Sequence, residues 1–312
     1  MKISIILPVF NEEENLDDMN AEIMAVVENM DVDYEIIYID DGSTDRSFEI
    51  LSSLREKNQN IKVIQFRRNF GQTACLAAGF DHATGDVIVT MDSDRQNDPN
   101  DIPMLLDKIN EGYDLVSGWR FDRQDAWLSR KLPSKLANSL ISKITGVKLH
   151  DYGCSLKAFR KEVVENIRLY GEMHRFIPAI ASWMGVRIAE VKVNHRARVA
   201  GISKYGISRT FRVILDLVTV KFLLQYSARP LHFFGGIGLA SGVTGFLIAF
   251  VMLIQKFFFG VALGDRPLLL LAVLLMFIGI QFVTFGLLGE LMTRTYHEAQ
   301  NKPVYVIRQL LI

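Results

Sequence analysis

The sequence predicts an α/β protein: a parallel sheet covered by helices on both faces, extended on its C-terminal side by a two-helix membrane hairpin. Three observations carry that reading. Short β-rich runs alternate with helical patterns through the N-terminal part of the chain, the signature of strands joined by crossover helices. Polar residues gather just after each run, where ligands of such sheets bind. No Asp, Glu, Lys or Arg occurs between Arg229 and Lys256 or between Arg266 and Glu290, and each gap matches the roughly 20 apolar residues a helix needs to cross a bilayer.

The strands are expected at residues 3–10, 34–40, 61–66 and 86–91, with a fifth at 113–118, and helices at 14–30, 44–57 and 73–83. The opening run MKISIILPVF is too short for a signal sequence and is followed by acid, NEEENLDD, so it reads as the first strand. Residues 129–144 and 207–228 pair apolar residues at helical spacing with basic ones, as helices lying on an anionic membrane surface do. These divisions give a domain at 1–206, an interfacial segment at 207–229, two membrane helices at 230–290 and a tail at 291–312. Basic residues flank both outer ends of the hairpin, among them Arg212, Lys221, Arg229, Arg294 and Lys302. The positive-inside tendency then places both termini and the large domain in the cytosol, at the cytoplasmic membrane.

Composition narrows the partners. The 312 residues carry 35 basic and 35 acidic side chains, a balance that argues against a nucleic-acid partner. Two cysteines, Cys75 and Cys154, have neither metal-ligand spacing nor the density of a disulfide scaffold, which fits a reducing compartment.

The chemistry concentrates at two strand ends. Asp92, Ser93 and Asp94 form an Asp-x-Asp triplet after the fourth strand. Two carboxylates one residue apart can bind a hard divalent cation that also grips a diphosphate. After the second strand, DDGSTD places Asp40 and Asp41 where acids accept hydrogen bonds from a base or ribose. Glycine-rich dinucleotide and phosphate-loop patterns are absent from the sequence, so a metal is the expected holder of the phosphates.

In order and position, LPVFNEEENL, DDGSTD, RNFGQTACLAAG, MDSDRQNDP and HRARVAGISKYG resemble the motifs of family 2 glycosyltransferases. The particular branch resembled is that of dolichyl-phosphate mannose synthases and bacterial polyprenyl-phosphate glycosyltransferases. The resemblance implies a GT-A (Rossmann-like nucleotide-binding) domain with interfacial amphipathic helices and a C-terminal transmembrane hairpin. It implies a nucleotide-sugar donor held by Pro8, Glu12, Asp40 and Asp41, and Mg2+ or Mn2+ on Asp92, Asp94 and Gln96. Arg95 departs from the pattern, because relatives usually carry an apolar residue there. The polyprenyl phosphate acceptor, undecaprenyl phosphate in bacteria, would meet Arg120, Arg130 and Ser134. Two guanidiniums and a hydroxyl beside the membrane suit a phosphate monoester. Arg198, Ser203 and Lys204 would close over diphosphate and acceptor, Asp151 would position the reacting groups, and His174 and Arg175 would face the sugar, a structural histidine being the alternative for His174.

The implied reaction is inverting transfer of a hexose-type sugar, with UDP-glucose, UDP-N-acetylhexosamine and GDP-mannose all open as donors. A homo-oligomer is compatible with such an anchored chain. Two other readings are a noncatalytic membrane-anchored scaffold that binds a sugar nucleotide, and a processive polysaccharide synthase. The second normally carries a Gln-x-x-Arg-Trp motif that this sequence lacks.

Overall fold

The computed structural model describes residues 1–121, 142, 146–167, 169, 173–196, 230–260, 262, 266–299 and 304–312. The chain divides into two compact units, Met1–Val220 with Pro303–Ile312, and Lys221–Lys302.

The first unit is built on an eight-stranded sheet, among the described residues, in the order β7-β5-β6-β4-β1-β2-β3-β8. Its centre is parallel: β1 (Lys2–Val9) lies between β2 (Asp33–Asp40) and β4 (Val87–Thr90), and β3 (Ile61–Phe66) continues beyond β2. The sequence predicts these four because a sheet covered on both faces needs near-continuous apolar strands. In ISIIL, Ile3, Ile5 and Leu7 join the main core, and Ile6 faces the other way. There α3 (Gln72–His82) packs so closely that a Cβ on Gly79 would stand 2.5 Å from Ile6 Cγ2. Helices α1 (Leu16–Val27), α2 (Ser47–Lys57) and α4 (Ile102–Asn110) complete the layers.

The sheet is mixed toward both edges. Strand β6 (Lys157–Arg160) inserts antiparallel between β4 and β5 (Leu115–Arg120), followed by α5 (Lys161–Glu165), α6 (Ile177–Ser182) and β7 (Ile188–Val193), which runs parallel to β5. At the other edge β8 (Ile307–Leu311) pairs antiparallel with β3. The sequence reading takes residues 291–312 as a tail; in the structure the chain returns after the apolar helices to close the sheet edge. Five residues are too few to display a period on their own, so this strand is not legible from pattern.

Several buried polar groups of the sheet meet in a cluster around Glu35. Its carboxylate accepts from Ser4 Oγ and from Thr84 N and Oγ1, and pairs with Lys62 Nζ at 2.7 Å. Burial alone would raise the Glu35 pKa, but these partners outweigh it and hold it at about 2.

The second unit is a pair of long helices, α7 (Pro230–Phe259) and α8 (Pro267–Ala299). Each contains a stretch long and apolar enough to cross a membrane, Phe234–Phe259 and Pro267–Gly289. They touch through small residues: a Cβ on Gly238 would meet Gly279 O at 2.6 Å, and one on Gly245 would meet Ala272 O at 2.6 Å. Backbone approach of this kind is how apolar helices associate without water to drive them together.

Candidate functional site

The first two strand ends are braced against each other. Asn11, held at φ 54°, donates its backbone N–H to Ser43 Oγ at 3.0 Å and accepts the Thr44 N–H at 2.8 Å on its side chain. Glu12 N–H bonds to Ser47 Oγ at 3.0 Å, and the Glu12 carboxylate accepts from Asn15 Nδ2 at 2.7 Å. Gly42, at φ 69°, permits the tight turn after Asp41; a Cβ there would lie 2.6 Å from the Arg68 carbonyl carbon.

Asp40 and Asp41 are both buried, in different ways. Asp40 Oδ1 accepts the Ser43 N–H at 2.9 Å, whereas Asp40 Oδ2 is enclosed with no hydrogen-bond partner. Each Asp41 oxygen receives a backbone N–H from the loop after β3, Phe70 at 2.7 Å and Gly71 at 2.9 Å. Burial raises the Asp41 pKa to about 6, even though these two N–H groups favour the charged form. Asp40 thus keeps one enclosed oxygen unpartnered, while both oxygens of Asp41 are committed to the neighbouring loop.

Beyond β4, Ser93 Oγ donates to the Pro8 carbonyl at 2.8 Å, tying the triplet to β1. Asp92 Oδ1 accepts from Gln72 Nε2 at 2.6 Å, and Asp94 Oδ1 accepts the Gln96 N–H at 3.1 Å. Burial and the adjacent Asp94 charge raise the Asp92 pKa, against the opposing effects of Ser155, Arg120 and Lys157. A partly buried Asp92 repelled by the buried Asp94 beside it is a donor set a divalent cation would relieve, so these residues fit Mg2+ or Mn2+. Among the described residues no cluster of three or more His, Cys, Asp or Glu side chains could hold a metal. Gln96, phosphate oxygens and water would fill the remaining positions.

Arg95 occupies the left-handed region at φ 61° and turns its guanidinium away from the triplet onto helix α1, toward Glu22 at 2.7 Å and Asp18. The departure from the family pattern is accommodated as an ion-pair contact with that helix. Glu22 also receives Arg196, which reaches Asp98 at 2.7 Å and donates its N–H to Gln96 O at 2.9 Å. The residue just before the 197–206 stretch is thus fastened to the Asp-x-Asp-x-Gln loop.

On the acceptor side, Arg120 at the end of β5 is paired with Asp151, through Nε at 2.7 Å and NH2 at 3.0 Å. Burial would lower the Arg120 pKa, and Asp151 more than compensates. His174 Nδ1 lies 2.9 Å from Thr73 Oγ1, on α3. The structure thus brings Pro8, Glu12, Asp40, Asp41, Asp92, Asp94, Gln96, Arg120 and Asp151 to one end of the sheet. Arg130, Ser134, Arg198, Ser203 and Lys204 lie outside the described residues.

Sequence reasoning missed Gln72, Glu22 and Lys157. Lys157 is buried in β6 and donates to the Cys154 carbonyl, and burial depresses its pKa. A lysine in an otherwise apolar strand, LKAF, was the available signal.

Residues 4–168 match the family model described as Glycosyl transferase family 2. A dodecaprenyl-phosphate galacturonate synthase of Rhizobium johnstonii is 44% identical over 99% of this chain and 93% of its own length. An undecaprenyl-phosphate 4-deoxy-4-formamido-L-arabinose transferase of an Enterobacter species is 40% identical over 99% of this chain and 94% of its own length. Among solved structures, glucosyl-3-phosphoglycerate synthase of Mycobacterium tuberculosis, crystallised with Mn2+, UDP and its product, superposes with a TM-score of 0.55 at 19% identity. That match covers 72% of this chain and 79% of that one. With its GT-A architecture and its strand-end acids in place, the chain belongs to glycosyl transferase family 2.

Proposed function

We propose that this enzyme transfers a hexose-type sugar from a UDP- or GDP-linked donor to a polyprenyl phosphate, with inversion, at the cytoplasmic face of the membrane. One observation carries the donor half of this reading. Strand β1 separates β2, which ends in Asp40 with its unpartnered oxygen, from β4, which leads to the Asp92 and Asp94 pair. Two interstrand spacings amount to about 10 Å, a separation suited to a nucleoside at one end and a diphosphate at the other. The acceptor half is supported by the two relatives named for polyprenyl phosphates and by the apolar helix pair.

Within that reading Pro8, Glu12, Asp40 and Asp41 hold the nucleoside, and Arg198 attends the diphosphate. Asp92, Asp94 and Gln96 would hold Mg2+ or Mn2+, which when bound supplies charge neutralisation to the leaving diphosphate. Arg120, Arg130, Ser134, Ser203 and Lys204 receive the lipid phosphate, with Asp151 fixing the orientation of Arg120. A phosphate monoester is already ionised near neutral pH, so its oxygen attacks without a strong general base. Alignment and charge stabilisation then supply most of the acceleration.

The topology proposed is a hairpin with both termini in the cytosol. The return of β8 to the sheet supports it, because a chain that leaves a domain and rejoins it crosses the membrane an even number of times. The relatives carry different sugars, so the test is a donor panel. Purified protein would be incubated with undecaprenyl phosphate, Mg2+ or Mn2+, and in turn UDP-galacturonate, UDP-4-deoxy-4-formamido-L-arabinose, UDP-glucose, UDP-N-acetylglucosamine and GDP-mannose. A lipid product whose mass gains one sugar supports transfer. Nucleotide binding with no product from any donor would favour the scaffold instead.

A further inference from the structure

We propose that the outward stripe of α8 centred on Gln281 is a helix-to-helix interface between two copies of this chain. The proposal rests on the reading of α7 and α8 as membrane helices and goes beyond the transfer reaction.

Gln281 is exposed on the surface of the helix pair, within the apolar stretch Pro267–Gly289. It lies three residues past the middle of that stretch, about 4.5 Å along the axis at 1.5 Å per residue. In a hydrocarbon layer about 30 Å thick the amide is then roughly 10 Å from the nearer edge. Long Lys and Arg stems reach water from such depths, but a glutamine is too short. An amide brings two donors and an acceptor, and leaving them unmatched in hydrocarbon is unfavourable.

The other uncharged polar side chains described in the two spans are all matched inside the chain. Ser241 Oγ donates to Leu275 O at 3.0 Å, Thr244 Oγ1 to Ala240 O at 2.8 Å and Thr284 Oγ1 to Ile280 O at 3.0 Å, and Gln255 Oε1 accepts from Arg266 at 2.8 Å. Gln281 is the exception among them.

Its neighbours form a seam. Leu270, Leu274, Phe277, Gln281, Thr284 and Leu288 are all exposed and follow one another at alternating steps of four and three residues. That is the 3.5-residue repeat by which one helix packs along another, and a single polar residue in such a seam fixes register. Phe277, two-thirds exposed, and Leu274 are large side chains that the partner helix α7 leaves uncovered.

The chemistry of the seam selects a second copy as its occupant. It carries no Lys, Arg, Asp or Glu from 267 to 289, so it has no charge for a differently charged partner to answer. A glutamine both donates and accepts, so Gln281 satisfies Gln281 where it sits on a two-fold axis, the place at which a residue meets its own equivalent.

The test uses the purified full-length chain reconstituted at high lipid excess, where no other protein is present. Both native cysteines are buried, so the parent protein should not cross-link. Gln281→Cys should oxidise to a species of twice the chain mass. Leu287→Cys, exposed about 120° around the helix from Gln281, should not. Separately, fluorescence energy transfer between labelled copies should show Gln281→Leu weakening association about 3- to 20-fold, as for the loss of one interhelical amide bond. Gln281→Asn should retain most of it. Turnover per enzyme at saturating substrates should survive in the Leu variant, which shows that the chain folds. Absent or equal cross-linking at positions 281 and 287, or unchanged association of Gln281→Leu, overturns the interface. Extraction of the parent chain from vesicles by alkaline carbonate would instead overturn the membrane reading on which it rests.

Discussion

Arg120 donates to both oxygens of Asp151, through Nε at 2.7 Å and NH2 at 3.0 Å, so the residue assigned to the lipid phosphate and the acid assigned to positioning are partners. A guanidinium has five N–H donors in a planar fork. One edge engaged by Asp151 leaves the fork oriented, and a phosphate could be met by the remainder.

That pairing predicts the behaviour of Asp151→Asn. Both side chains are largely enclosed, at 16% exposure for Arg120 and 5% for Asp151. Removing one partner of a buried pair strands the other charge, at about 3–5 kcal/mol. Thermal melting of the detergent-solubilised protein should show a clear loss for Asp151→Asn, and KM for polyprenyl phosphate should rise more than KM for the donor. A variant as stable as the parent would show that the pair is not maintained in solution.

The Asp92 and Asp94 pair predicts opposite effects on stability and activity. Repulsion between the partly buried Asp92 and the buried Asp94 is relieved when Asp94 becomes Asn, so the metal-free protein should melt higher. Turnover should fall at least about a hundredfold, because a catalytic cation contributes several kcal/mol. In the parent, chelator should abolish transfer and added Mn2+ with UDP should raise the melting temperature. Unaltered transfer in chelator would remove the metal from the proposed mechanism.

These two sites differ in how far the sequence exposes them. Strands β1 to β5 and the acids at 40, 41, 92 and 94 were legible because buried parallel strands are apolar runs and their ends collect polar residues. The division of labour between Asp40 and Asp41 was not: two adjacent acids look alike in sequence, and only the positions of the Phe70 and Gly71 N–H groups separate them. Strand β6 also escaped, since KAFR is four residues long and runs straight into the short helix α5. Glu22, Arg95 and Arg196 are distant in sequence and read singly as solvated charges; only the fold makes them neighbours.

Asp41 predicts a pH dependence. Its folded pKa of about 6 exceeds the ordinary 3.8 because of burial. Between those values the folded state holds a proton that the unfolded state has lost. Stability contributed by this group is therefore complete below about pH 4, declines as pH rises toward about 6, and is level above. Compared with Asp41→Asn, the parent should lose at most about 3 kcal/mol over that interval. Nucleotide affinity should move the other way, strengthening through pH 6 as the carboxylate forms and fastens the Phe70–Gly71 loop. Calorimetric titration of UDP at pH 5 and pH 7 checks this, and identical pH slopes in the two proteins would contradict it.

The segment leading into the C-terminal strand predicts long-range support of the same loop. Tyr305 Oη donates to Asp81 Oδ2 at 2.9 Å, and its ring stacks on Phe66 at 5.2 Å, which in turn meets Phe70 edge-on at 5.7 Å. Tyr305→Phe keeps the stack and loses the hydrogen bond, a change of about 1 kcal/mol in stability. Tyr305→Ala empties a buried aromatic site at about 3–5 kcal/mol and should also weaken UDP binding through Phe70. If UDP affinity were the same in the Ala variant, Tyr305 would be structural only.

Glu22 offers the sharpest separation of donor from acceptor chemistry. It receives Arg95 from the Asp-x-Asp loop and Arg196 from the residues leading into the basic 197–206 stretch. The three side chains are partly exposed, so screening limits the stability loss of Glu22→Ala to about 1 kcal/mol. The kinetic effect should be larger and one-sided. Arg95 keeps Asp18 and its place next to Asp94, so UDP affinity and metal dependence should stay near the parent values. Among the described residues the Arg196 side chain keeps Asp98, and its backbone keeps Gln96 O, while the stretch that follows it is the one assigned to diphosphate and lipid phosphate. KM for polyprenyl phosphate should therefore rise about three- to tenfold, the range for losing one partly exposed charge-assisted contact. Glu22→Gln should recover part of the loss, because an amide oxygen still accepts from one guanidinium. Should UDP binding weaken while acceptor KM stays fixed, Glu22 would belong to the donor side, and the 197–206 stretch would be held by something else.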